Sequence, residues 1–272
     1  SNLHQGWPKL VQNLWYATVD DGLAALVYAP SNVSVKVAGD IPVKIEENTN
    51  YPFEETVRFK FNFPDKKNKK AMFPIHLRIP EWCKKPVITV NGESVSSEMF
   101  SDRVAKINRE WNDKDELVVE FPAQVKISYW YAGAAVVERG PLLYALKMDE
   151  KWTKKELGAS EKHYGDWYYE VTSPSTWNYC LLGHNLRREN LDKAFVVEKN
   201  ESVALYPWTL QDAPITIKTK AKRIPRWQEY NGSAGPVNYL TQHVNDITSE
   251  EEDIELIPYG CTTLRITEFP VR

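Results

Sequence analysis

The residue types able to do chemistry are spread along this chain rather than gathered. Glycoside hydrolysis needs two carboxyl groups flanking a sugar, one poised as acid and the other as base or nucleophile. Glu46-Glu47, Glu54-Glu55, Glu138 and Glu170 supply carboxylates, but most fall at strand ends or outward positions and none is singled out as a pair. Surface charge is the commoner role of such residues. The five histidines (His4, His76, His163, His184 and His243) show no HxxxH or HExxH spacing, so a metal site would have to be assembled by the fold alone. Cys83, Cys180 and Cys261 lie far apart, without the CxxC spacing of a zinc site, and their odd number leaves at least one thiol free. Cys83, in Trp82-Cys83-Lys84 after a strand, sits where burial is favoured over nucleophilic work. No GxSxG, P-loop or dinucleotide fingerprint occurs. Type and spacing therefore assign no catalytic residue and no metal ligand.

The elements that would position any site are short strands. Phe73–Gly92 sets the grammar: Ile75, Leu77 and Ile79 alternate with His76 and Arg78, which sends one face to a core and the other to water. Pro80 ends that strand, since proline cannot donate to a ladder. Val87–Val90 begins another, and Asn91-Gly92 supplies two positive-φ residues for a type I′ turn. Thr56–Phe63 alternates most cleanly, with Val57, Phe59, Phe61 and Phe63 inward and Arg58, Lys60 and Asn62 outward. Strands recur every 8–12 residues or so, with turn signals between them, which is the pattern of an all-β sandwich.

The first half has one convincing helix, Trp7–Trp15, with Pro8 at its first position and Leu10, Val11, Leu14 and Trp15 on one stripe. So short a helix must dock on something. In a chain of strands it reads as the last piece of a helical domain. Ser1-Asn2, without an initiating methionine, fits a processed or engineered terminus. Near Lys147 the texture changes. Asp149–Asp166 is charged and poorly periodic, with one short helix expected at Glu150–Leu157, and a second, aromatic-rich strand set follows. A final strand is expected at Thr263–Phe269.

Composition narrows the partners. A net charge of −3 over 272 residues leaves no electrostatic footprint for nucleic acid or an anionic membrane. No apolar run reaches the roughly 18 residues of a membrane span. The basic run at Pro64–Lys70 and the acidic run at Glu250–Asp253 read as solvated loops rather than as a polyanion patch or a calcium site. Ten Trp, fourteen Tyr and nine Phe suit cores and domain seams first, and sugar-stacking platforms second. For the second use the candidates are Trp167, Trp177, Trp208 and Trp227.

Taken in order, LHQGWPKLVQNLW, YPFEETVRFKF, LRIPEWC, VNG, INREW, VVERGPLLYALK, DWYYEV, TWNYCL and IELIPYGCTTLRITEFP resemble the C-terminal half of the beta-L-arabinofuranosidase-like enzymes of glycoside hydrolase family 127 and its relatives. The resemblance covers nearly the whole chain. It implies two β-sandwich domains, jelly-roll or Ig-like, preceded by an (α/α)6 barrel of the same polypeptide. That barrel carries a zinc-bound cysteine nucleophile, further cysteine and glutamate ligands and a glutamate acid/base. The paired cysteines of that motif precede the HQGWPK-type helix and are not in this sequence.

The expected organisation is residues 1–16 as the remnant of the last barrel helix, residues 17–146 plus about 252–272 as sandwich I, and residues 147–251 as sandwich II. The expected role is a non-catalytic accessory region of a glycoside hydrolase acting on arabinose-containing plant glycans. Alone it would hydrolyse no arabinofuranoside, with or without zinc, because the metal-thiolate nucleophile is absent. His4, Gln5 and Trp7 are expected at the rim of the sugar pocket, with the barrel as partner and a homodimer as a further association. A bacterial periplasmic or secreted location accompanies this reading. The alternative is a free-standing carbohydrate-binding or adhesion module.

Overall fold

Large apolar residues alternating with polar ones decide where the strands form. The computed structural model describes residues 3–95, 98–99, 103–158, 162–236 and 247–272; Ser1, Asn2 and His243 lie outside them. The chain is nearly all-β with a short N-terminal helix, as the sequence leads one to expect. It divides into two units, Ser1–Ala123 and Gln124–Arg272.

The first unit runs α1 (Leu3–Gln12), β1 (Trp15–Ala17), β2 (Leu23–Ala25), β3 (Ser31–Val37), β4 (Ile41–Thr49), β5 (Thr56–Asn62), β6 (Lys70–Arg78), β7 (Val87–Val90), β8 (Glu93–Ser94), β9 (Glu98–Met99), β10 (Val104–Asn112) and β11 (Glu116–Glu120). They form one sheet in the order β1-β2-β6-β10-β9 and another in the order β3-β4-β5-β11-β7-β8. Strand β2 lies parallel to β6, with Leu23 opposite Ile75 and Ala25 opposite Leu77. A core of Phe59, Phe61, Phe73, Ile75, Leu77 and Trp111 draws on both sheets. Phe61 and Trp111 stack with centroids 4.3 Å apart and planes 7° from parallel, and the Trp111 indole N–H donates to the Phe73 carbonyl at 2.9 Å. Asn91 and Gly92 take φ of 54° and 83°, the left-handed values a two-residue hairpin demands.

The second unit runs β12 (Val125–Tyr129), β13 (Ala135–Arg139), β14 (Leu142–Leu146), β15 (Lys151–Glu156), β16 (Trp167–Thr172), β17 (Tyr179–Leu181), α2 (Leu191–Ala194), β18 (Val196–Lys199), β19 (Ile215–Arg223), β20 (Glu229–Tyr230), β21 (Ser233–Ala234) and β22 (Glu252–Pro258). Its main sheet has the order β12-β13-β14-β22-β19-β17, with β18 also on β19. Strands β15 and β16 form a separate two-stranded ribbon.

Four features differ from the sequence reading. The division falls after Ala123 rather than near residue 146, because Ala145 pairs with Ile257 and Ile217 with Leu256, which puts residues 125–146 and β22 in one sheet with β19. The C-terminal segment does return to residues 17–146, with Phe269 bridging to Ala135 and the Leu146 N–H donating to the Ile266 carbonyl at 2.8 Å, but it meets them in the second unit, where Val271 also bridges to Leu181. Those bridges replace the continuous strand expected at Thr263–Phe269. The expected helix at Glu150–Leu157 is strand β15, whose six residues pair with Trp167–Thr172.

Candidate functional site

Helix α1 and the corner that roots it form the site. The helix spans Leu3–Gln12, earlier than expected, so Pro8 lies inside it rather than at its first position. There its missing N–H leaves the His4 carbonyl without its usual helical donor. Asn13 ends the helix: its side-chain amide donates to the Lys9 carbonyl at 2.6 Å and its backbone N–H to Leu10 at 3.0 Å. Trp7, Leu10 and Val11, at i, i+3 and i+4, share one face. That face is bare: Trp7 is 67%, Leu10 43% and Val11 65% exposed. His4 and Gln5 are exposed on the same helix.

Beyond the helix the chain is held firmly. Leu14 is buried, and Trp15 leaves the expected helical stripe to enter β1, where its ring meets Phe59 edge-on at 5.6 Å. The Trp15 indole N–H donates to the Ser31 hydroxyl at 3.0 Å, and that hydroxyl donates to Glu47 Oε2 at 2.8 Å. The backbone N–H of Ala29 donates to Glu47 Oε1 at 3.1 Å. Glu47 shares the inward row of β4 with Val43 and Ile45 and is 1% exposed. Burial pushes its carboxyl up to about 7 against the pull of these two hydrogen bonds. Sequence reasoning named Glu47 beside Glu46 and gave both a surface role; the structure buries Glu47. The signal was present in the alternation Val43-Lys44-Ile45-Glu46-Glu47, whose inward phase falls on the second glutamate.

The turn after β1 is tied down as well. The hydroxyl of Thr18 donates to Asp20, with Lys106 at 3.0 Å and His76 at 3.1 Å, and these contacts hold the Asp20 carboxyl well below the usual carboxylate range. Gly22 passes so close to β6 that a Cβ would stand 2.3 Å from the Pro74 carbonyl oxygen. A cleft of about 430 Å³ lies beside this corner, lined by Trp15, Tyr16, Leu23, Val33 and Val35.

The other candidates do not converge. Trp227 is buried, donates to the Gly235 carbonyl at 2.7 Å and meets Trp177 edge-on at 5.0 Å, so these two rings build a small core with Cys180 and Ile224. Trp208 is partly exposed and lies against Gly260, where a Cβ would come within 2.6 Å of its ring. Trp167 is exposed on the β15–β16 ribbon with Trp152 and Tyr169, but the rings meet at 68° and 79°, not as a flat platform. Cys83, Cys180 and Cys261 are buried separately, and burial raises each thiol, that of Cys261 to about 11. Among the described residues no three His, Cys, Asp or Glu side chains come together as a metal-holding group. The cysteines present thus do not fit a zinc-thiolate centre. No helix of the described residues is long and apolar enough to cross a membrane.

Residues 22–123 match the family model described as beta-L-arabinofuranosidase, GH127 middle domain. No curated protein matches the chain. Among solved structures, a GH127 beta-L-arabinofuranosidase from Geobacillus stearothermophilus T6 is similar over 100% of this chain and 37% of its own, at 21% identity and a TM-score of 0.66. A protein described as a glycoside hydrolase is similar over 93% of this chain and 36% of its own, with 20% identity and a TM-score of 0.58. A GH127 beta-arabinofuranosidase is similar over 94% and 36%, with 18% identity and a TM-score of 0.60. The chain therefore spans little more than a third of the length of these structures.

Proposed function

We propose that this chain, whose residues 22–123 match the GH127 middle-domain model, is a non-catalytic accessory region of a glycoside hydrolase acting on arabinose-containing plant glycans. Its work is to hold α1 against an (α/α)6 barrel of the same polypeptide, with His4, Gln5 and Trp7 at the rim of the sugar pocket. The zinc and the nucleophilic cysteine belong to that barrel, and a periplasmic or secreted location goes with this activity.

One observation carries the reading: an amphipathic helix with its apolar face in water, fastened at its C-terminal end to a rigid sandwich. A helix of this length is not stable by propensity alone, and its stripe calls for a covering surface. The buried, high-pKa thiols support placing the chemistry elsewhere. A sugar-stacking role retains only Trp167 and Trp208, exposed on separate elements, and is the weaker reading.

Hydrolysis of an aryl arabinofuranoside tests the proposal. The chain alone should give no turnover with or without added zinc. A polypeptide that also carries the barrel should turn over, and Leu10→Asp with Val11→Asp should cut that activity at least tenfold. Turnover by the chain alone that survives Cys83→Ser would overturn the proposal, as would full activity in the doubly substituted longer polypeptide.

A further inference from the structure

The corner that roots α1 contains a carboxyl group that the fold reading does not require. Glu47 lies in the core of the first unit, and two neutral donors, the Ala29 N–H and the Ser31 hydroxyl, reach it. Tyr28 is the titratable group that feels its charge, and Tyr51 and Arg78 interact with Tyr28 in turn. The Tyr28 hydroxyl is occupied in donating to the Arg78 carbonyl at 2.6 Å, and the Arg78 Nε donates to the Leu26 carbonyl at 2.7 Å. A carboxylate in such a place keeps its charge at high cost, because two neutral hydrogen bonds do not replace its hydration. The carboxylic acid form carries no such cost.

Position turns this burden into a device. The Ser31 hydroxyl that bonds Glu47 also receives the Trp15 indole N–H, and the Trp15 ring lines the cleft beside β1. Trp15 is the residue that joins this hydrogen-bonded pair to β1 and the end of α1. We propose that Trp15, Ser31 and Glu47 form a proton-controlled latch, closed while Glu47 carries its proton and loosened when the proton is lost. Opening the latch frees β1 and the root of α1 while the inner strands stay paired. Acidity therefore sets how firmly the helix is presented to whatever covers it.

The sign follows from linkage. Glu47 ionises near 4.5 in the unfolded chain and at about 7 in the fold, so its stabilising effect is complete below 4.5 and is lost as pH rises through 7. Relative to Glu47→Gln, the folding equilibrium constant of the wild-type chain should fall on the order of a hundredfold between pH 4.5 and 7 and then level off. Urea unfolding across pH 4.5 to 8 reads this difference, and parallel profiles for the two proteins would overturn the proposal.

Amide exchange locates the opening. Corrected for intrinsic base catalysis and for the global stability measured at each pH, protection of Tyr16 and Ala17 should drop between pH 5 and 8 in the wild type, whereas that of Ile75 and Leu77 should not. An equal drop at both places would mean that the whole sandwich loosens and would overturn the latch. Should Glu47→Gln fail to fold, a carbon-13 titration of the Glu47 carboxyl in the wild-type chain decides. A midpoint near 7 supports the latch, and one near 4.5 overturns it.

Discussion

Two aromatic clusters built from the same residue types meet opposite fates. In the first unit, Phe61, Phe73 and Trp111 face inward from β5, β6 and β10 and are buried, with the Trp111 ring stacked on Phe61 and its N–H satisfied by Phe73. In the second unit, Trp152, Trp167 and Tyr169 lie on the β15–β16 ribbon, each about half exposed and touching edge-on, with Lys154 over the Trp167 ring at 5.0 Å. Both strand pairs, β6–β10 and β15–β16, have regular antiparallel registers. The difference is a second layer: the first pair has a sheet against its aromatic face, and the second, among the described residues, forms a sheet of two strands with its rings exposed. Aromatic content predicts a core only where topology supplies that layer, and a lone two-stranded ribbon is marginal in water.

Three substitutions probe this contrast. Trp111→Ala removes a fully buried indole together with the stack and the hydrogen bond, and should cost about 3–5 kcal/mol by urea unfolding. A loss below about 1 kcal/mol would erase the distinction between the clusters. Glu150→Ala acts at the base of the ribbon, where the carboxylate accepts from the Thr262 hydroxyl at 2.9 Å, the Thr263 N–H at 2.6 Å and the Trp152 indole at 3.0 Å. Partial burial opposes ionisation there, but these donors outweigh it and hold the carboxyl below its usual range. The loss should be about 1–2 kcal/mol, read as faster amide exchange in β15 and β16. Because this pKa is lowered, the contribution is present above 4.5 and disappears as pH falls through the folded value, opposite in sense to Glu47. Trp167→Ala should change global stability by less than about 1 kcal/mol in thermal unfolding, since its ring is half in water.

Much of the first unit was legible because period-two alternation is a local signal. Val57, Phe59 and Phe61 are buried and Arg58, Lys60 and Asn62 exposed, as read. Asn91-Gly92 makes its turn, and Cys83 is buried. What failed depended on distant partners. Lys151–Glu156 carries charges compatible with a helix, and only pairing with Trp167–Thr172 makes it a strand. Residues 125–146 follow the first sandwich without a break in texture, and only their pairing with β22 assigns them to the second unit. Trp227 is indistinguishable from Trp167 by type, yet one is in a core and the other in water. Glu47 resembled its neighbour Glu46 until the phase of β4 was fixed by its pairing with β3 and β5.

The parallel pairing of β2 with β6 imposes an order on assembly. During synthesis Leu23, Ala24 and Ala25 emerge early, but their hydrogen-bonding partners appear only once Leu77 has left the ribosome. Strands β3, β4 and β5, which pair as successive antiparallel neighbours, can form in the meantime. Strand β2 is thus made well before its partner and is late to dock. Until β6 arrives, a nascent chain carries the apolar Leu23–Ala25 stretch without its parallel partner, a natural client for a chaperone that grips short apolar stretches.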